Sequence, residues 1–184
     1  MKKPINIIAY TDGSAVVSGK NKGAGGFGTY FPKHLDQKPR AYSLGFKNSK
    51  TGRMEISALY YAIASMPKIY PEKVLLTVYS DSEYVVKSFT ENRLVKWIKN
   101  GWRNTSGEVK NKDLWKALLD ELNSKKYLSL EMIHIRSHQV EKEKDPTKKA
   151  KLLQDPNIIG NLVADSLADY KRHIELKESD KIIL

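Results

Sequence analysis

Short runs of β-branched, aliphatic and aromatic residues occupy Ile5–Thr11, Gly26–Phe31 and Arg40–Phe46, and Gly/Asn/Lys-rich or Pro-containing stretches part them. That pattern predicts three successive antiparallel strands. The period then changes. Ile56, Leu59, Tyr60 and Ile63 fall on one helical face within Met54–Ser65, and Pro67 closes the element. Val74–Tyr79 returns to a strand, followed by a helix whose apolar side is Tyr84, Val85 and Phe89, with Asp81 or Ser82 suited to cap it. A short helix is predicted over Leu94–Lys99. A longer one covers "KDLWKALLDEL", where Leu114, Trp115, Leu118, Leu119 and Leu122 recur at helical spacing. "YLSLEMIHI" supplies a fifth strand. A last helix is predicted from about Asn161 to Lys171, packed through Val163, Ala164, Leu167 and Ala168.

Three strands followed by strand–helix alternation predict an α/β fold: a mixed five-stranded sheet, three antiparallel strands and then parallel additions, with helices on both faces. The first and fourth strands, joined through the Met54–Ser65 helix, are expected to lie parallel by a right-handed crossover. Their C-terminal ends then share one edge, where α/β proteins build their sites.

The 184 residues fit one domain, and a formal net charge of +11 points to a polyanionic partner, nucleic acid ahead of an anionic membrane surface. The absence of cysteine excludes disulfides and thiolate metal sites. The four histidines (His34, His134, His138, His173) lack metal-ligand spacing. No apolar run reaches transmembrane length and "MKKPINII" holds no signal-peptide core, so a soluble, cytoplasmic protein is expected.

Four acids stand beside apolar segments. Asp12 ends the first strand in "AYTDGSA", and Asp81 follows the fourth in "VYSDSEYV". Glu55 opens the helix of "GRMEISALYYA", and Asp165 lies in the first turns of "GNLVADSLADYK". Singly, each is equally a turn residue, an N-cap or a partner of the helix dipole. Together, at one sheet edge, they would repel one another unless a cation neutralised them. An all-oxygen set suits Mg²⁺ or Mn²⁺ rather than zinc.

These four segments, in this order, resemble the type 1 ribonuclease H family from about Ile5 to Lys171. The resemblance implies that Asp12, Glu55, Asp81 and Asp165 are catalytic and bind metal. It also places His138 of "IHIRSHQ" where the family keeps a histidine that assists proton transfer or product release. His134 reads as structural. The implied activity is endonucleolytic hydrolysis of the RNA strand of an RNA–DNA hybrid by two Mg²⁺ ions, with Mn²⁺ as substitute, leaving 5′-phosphate and 3′-hydroxyl ends. A DNA nuclease or resolvase of the same fold, and a non-catalytic nucleic-acid-binding module, are the alternatives.

"GAGGFG" matches a dinucleotide fingerprint, but "TYFP" continues it as strand, so a hairpin loop is expected. Between Lys87 and Lys112, seven basic side chains face two acids, with Trp97 and Trp102 interleaved. Such a segment suits a phosphate backbone, and it resembles the family's basic protrusion. Lys96, Trp97, Lys99, Trp102 and Arg103 are therefore expected to bind substrate. Asn21 and Asn111 fall where the family has substrate-contacting asparagines. Thr51 and Gly52 stand where many relatives carry an Asn pair, and Glu83 where a Gln is common. The largest departure is the 22 residues from Gln139 to Gly160, an insertion expected to form a flap or small helix beside His138. A single domain spanning 1–184 is expected. Because the first strand begins almost at once, no N-terminal hybrid-binding module is expected. The remaining expectations are a monomer and a tail at about 172–184 that packs on the body or docks a replication protein.

Overall fold

The computed structural model describes residues 3–19, 22–174, 176 and 177. Strand β1 (Ile5–Ala15) pairs antiparallel with β2 (Gly25–Phe31), and β2 with β3 (Arg40–Phe46). Helix α1 (Thr51–Ala64) crosses over to β4 (Val74–Ser80), which lies parallel to β1. Then come α2 (Glu83–Thr90), α3 (Arg93–Lys99), a two-residue hairpin β5 (Arg103–Asn104) with β6 (Gly107–Glu108), and α4 (Lys112–Ser124). Strand β7 (Leu128–His134) adds parallel to β4. Two short helices, α5 (Gln139–Lys142) and α6 (Pro146–Leu152), lead into the long α7 (Pro156–Ile174). The sheet order is β7-β4-β1-β2-β3, the five strands expected. A two-residue strand β8 (Leu176–Lys177) adds parallel at the β3 edge.

The two faces of the sheet differ. Ile7, Ala9, Phe31, Leu76 and Val78 point to the face covered by α1, where they join Ile56, Leu59 and Ile63 in the main core. Leu114, Trp115 and Leu118 of α4 pack on that same cluster. The opposite face belongs to α7: the Tyr10 hydroxyl donates to Asn157 at 2.8 Å, and Ser43 donates to the Leu167 carbonyl at 2.8 Å.

Some expected boundaries move, among them the start of α1, which opens at Thr51 rather than Met54. The first strand does not turn at Asp12 but runs on to Ala15, still paired with β2. The last helix begins at Pro156 rather than Asn161, since Asp155 accepts from the Asn157 N–H at 2.8 Å and proline is preorganised at a first helical position. The expected insertion therefore divides into α5, α6 and the opening turns of α7. The glycine-rich segment continues as β2, as expected. Among the described residues, no helix is long and apolar enough to cross a membrane. Asn21 and residues 178–184 of the tail lie outside the described residues.

Candidate active site

Strand β1 outruns β4. Their pairing stops at Thr11↔Ser80, whereas β1 stays paired to β2 through Ala15. Asp12 thus has β2 on one side and, where β4 has ended, the turn carrying Asp81 on the other. Ser82 caps α2, its hydroxyl accepting from the Val85 N–H at 3.2 Å, which fixes the short turn after β4.

The remaining two acids arrive on helices from opposite faces, and glycine makes both approaches feasible. A Cβ at Gly13 would lie 2.1 Å from the Glu55 nitrogen and 2.2 Å from the Met54 carbonyl carbon. Gly28, the cross-strand partner of Asp12, sits under α7: a Cβ there would lie 2.1 Å from the Ala164 carbonyl oxygen, one residue from Asp165. Backbone packs directly on backbone at both points, bringing Glu55 and Asp165 to the end of β1.

The electrostatics record the convergence. Asp12 is 8% exposed, and its carboxyl is pushed up to about 8, first by burial and then by Asp81 and Asp165. Asp165 is also raised, chiefly by burial, although a hydrogen bond shared with Asp12 opposes the shift. Burial raises Glu55 as well; a hydrogen bond from Ser82 pulls it back, and Asp81 adds to the rise. Carboxyls that must hold protons for want of a counter-charge form an oxygen-rich donor set, which fits a hard divalent cation.

A family model for RNase H matches residues 4–172. The chain belongs to the ribonuclease H family. A ribonuclease H of Lachnoclostridium phytofermentans is 41% identical over 123 residues, covering 65% of this chain and 74% of that one. A ribonuclease HI of Synechocystis is 31% identical over 158 residues, covering 85% and 93%. Among solved structures, the PFV RNase H domain superposes with a TM-score of 0.66 at 27% identity, covering 93% of this chain and 96% of that one.

In this ribonuclease H, His138 stands at the mouth of the carboxylate cluster, in the left-handed region at φ 54° immediately before α5. Its Nδ1 lies 2.5 Å from the Glu141 carboxylate, and potential ligand atoms of His138, Glu141 and Asp165 lie within 4.8 Å of one another. Sequence reasoning missed Glu141, because its signal, an acid three residues after the histidine, has meaning only once α5 is known to form. His134 is exposed at the end of β7, its Nε2 3.3 Å from the Asp81 carbonyl oxygen, so it steadies the Asp81 turn.

The protrusion of this ribonuclease H comprises α3 and the β5–β6 hairpin. Lys96, Lys99 and Arg103 are exposed, whereas the tryptophans turn inward. Trp102 is 8% exposed at φ 64°, and Trp97 packs against the core with its ring centroid 6.1 Å from that of Trp115. They brace the cations rather than offering open stacking faces. Asn111, at φ 58° before α4, lies beside Tyr84 and Gly52, which places the protrusion next to the α1 N-terminus. Glu83 is held by Lys87 at 2.5 Å. Thr51 and Gly52 line a 660 Å³ cleft with Asn48, Lys50 and Lys22.

Proposed function

We propose that this protein is an endoribonuclease that hydrolyses the RNA strand of RNA–DNA hybrids, with Asp12, Glu55, Asp81 and Asp165 holding two Mg²⁺ ions. The observation that carries this reading is the convergence of four acids at the end of β1, with Asp12 forced toward its protonated form. Bound divalent ions would supply an activated water and charge neutralisation at the scissile phosphate, and Mn²⁺ could replace Mg²⁺.

The chain's own residues do the rest. The carboxylates fix where the phosphate sits, because each is carried on a strand, a capped turn or a glycine-seated helix rather than on a loose loop. An ionised Glu141 can only accept, so His138 donates through Nδ1–H and keeps Nε2 for the reaction. Positioned in this way, the imidazole can take up a proton at Nε2 and pass it to the departing 3′ oxygen, or help the product leave. Lys96, Lys99 and Arg103 grip the uncleaved strand, and the cleft beside Thr51 and Gly52 faces the 2′-hydroxyls that mark the cleaved one. The opposing reading, a module that only binds nucleic acid, is disfavoured by the acids themselves, since a pure binder gains affinity by losing them.

The deciding experiment presents one end-labelled RNA alone, paired with DNA and paired with RNA, in Mg²⁺, with EDTA and Asp12→Asn as controls. Cleavage confined to the hybrid and lost in both controls is expected. An intact hybrid that still binds without metal would overturn the reading, and cleavage of duplex DNA instead would reassign the enzyme within its fold.

A further inference from the structure

The segment between His138 and α7 holds five lysines and four acids, nearly neutral by count. The structure separates the two signs. Each acid is engaged locally: Glu141 with His138, Glu143 with the Asp145 N–H at 2.9 Å, Asp145 with the N–H groups of Thr147 and Lys148, and Asp155 with that of Asn157. Lys142, Lys144, Lys148, Lys149 and Lys151 are all exposed, and none is in an ion pair among the described residues. The acids keep their charge but are turned back onto the segment's own N–H groups and His138, whereas the five lysine ammonium groups are left to meet a partner.

It also borders the reaction centre. Asp81 lines a 610 Å³ cleft together with Arg136, Ser137, Gln139, Lys142 and Leu152. Lys148 and Lys149 precede Leu152 by four and three residues, so they share its side of α6 and stand along the rim. The acids Glu83 and Glu143 also line the cleft, but Lys87 and the Asp145 N–H occupy them. His134 completes the wall beside the Asp81 turn. A channel that opens at one of the four carboxylates and carries Arg136 and Lys142 inside, with Lys148 and Lys149 at the rim, suits a strand of phosphodiester backbone.

We infer that α5 and α6 form a second nucleic-acid contact, which holds the phosphates of the cleaved RNA strand on one side of the scissile bond. This inference rests on the hybrid-cleaving reading of the site. It differs from the protrusion, which lies on α3 and the β5–β6 hairpin and grips the other strand. The segment thereby extends the enzyme's hold along the strand being cut.

The test compares the wild type with the triple variant Lys142→Gln/Lys148→Gln/Lys149→Gln. Hybrid binding is read in EDTA across a salt series, on blunt hybrids and on hybrids whose RNA or DNA strand runs on as a single strand at either end. The triple variant is expected to bind with a log–log salt slope shallower by about 2 to 3, so that the wild-type advantage shrinks roughly 16- to 64-fold between 50 and 200 mM salt. The deficit should be largest on one of the RNA-extended hybrids. A Lys→Arg triple at the same positions should keep the wild-type slope. An unchanged slope in the Gln variant would overturn the inference, as would an equal loss in the Arg variant or a deficit confined to DNA extensions. Because binding is read without metal, the outcome is separable from the function itself, which wild-type cleavage of the blunt hybrid in Mg²⁺ tests independently.

Discussion

Gly28 offers the sharpest test of how the site is assembled. A methyl group there would sit 2.1 Å from the Ala164 carbonyl oxygen, 2.7 Å from the Leu167 Cβ and 3.0 Å from the Ala168 nitrogen. Ordinary contact begins near 3.4 Å, so α7 must retreat by roughly 1.3 Å at the residue next to Asp165. Overpacking of this kind costs about 1–3 kcal/mol. For a chain of this length that lowers the melting temperature by roughly 2–12 °C. A misplacement of about 1 Å at a reacting centre costs on the order of 10²-fold in rate. Gly28→Ala should therefore melt earlier and, at a temperature where it remains fully folded, cleave hybrid about a hundredfold more slowly. Gly52→Ala is the internal control for stability: its Cβ would meet nothing nearer than 3.7 Å, and its melting temperature should match or exceed the wild type. Steady-state cleavage and thermal melts of the three proteins suffice. If Gly28→Ala loses stability yet cleaves at the wild-type rate, the position of Asp165 does not govern the chemistry and its role as a metal ligand fails.

Other outcomes follow from the same geometry. Gly13→Ala should shift Glu55 from the other face and depress cleavage similarly, read in the same assay. Without metal, folded Asp12 keeps a proton up to about pH 8, whereas in the unfolded chain it loses that proton near 3.8. Stability of the metal-free protein is therefore fully present below that lower value and falls as pH rises toward 8, by up to about 1.4 kcal/mol per pH unit. Melts in EDTA from pH 5 to 8 should show this decline, and Asp12→Asn, inactive, should flatten it. Added Mg²⁺ should raise the melting temperature of the wild type more at pH 8 than at pH 6, since the ion displaces the proton; equal shifts at both would count against the cluster as its site. Glu141→Gln should lower kcat about tenfold with little change in KM, and should have no further effect once His138 is alanine; a full additional loss in the double variant would mean that Glu141 acts independently of His138.

Much of this was legible from residue order alone. The switch from strand periodicity to the α1 face and back placed the five strands and the crossover, and the four acids stood out because each adjoined an apolar run. Other features were hidden for physical reasons. "DGS" carries the chemistry of a turn, but Gly13 is small because Glu55's backbone rests on it, a demand set by a residue forty-two positions away. Its place among basic residues predicts that Trp102 binds substrate; the left-handed turn at Gly101 and Trp102 points it inward, and composition does not record that reversal. Likewise the five lysines and four acids after His138 nearly balance by count, and only the folded segment shows the acids bonded to local N–H groups and His138 while the lysines lie exposed.

The glycine seating of α7 has one more consequence. Asp165 is held in place where its helix leans on β2 at Gly28, a contact that the segment linking β7 to α7 does not make. That linker is consequently free to lengthen, to change composition or to accept an inserted module while the acids stay in register. The architecture separates a reaction centre fixed by helix-on-sheet contact from a neighbouring stretch of chain whose form it does not dictate, and in this protein that stretch forms two helices at the reaction centre's edge.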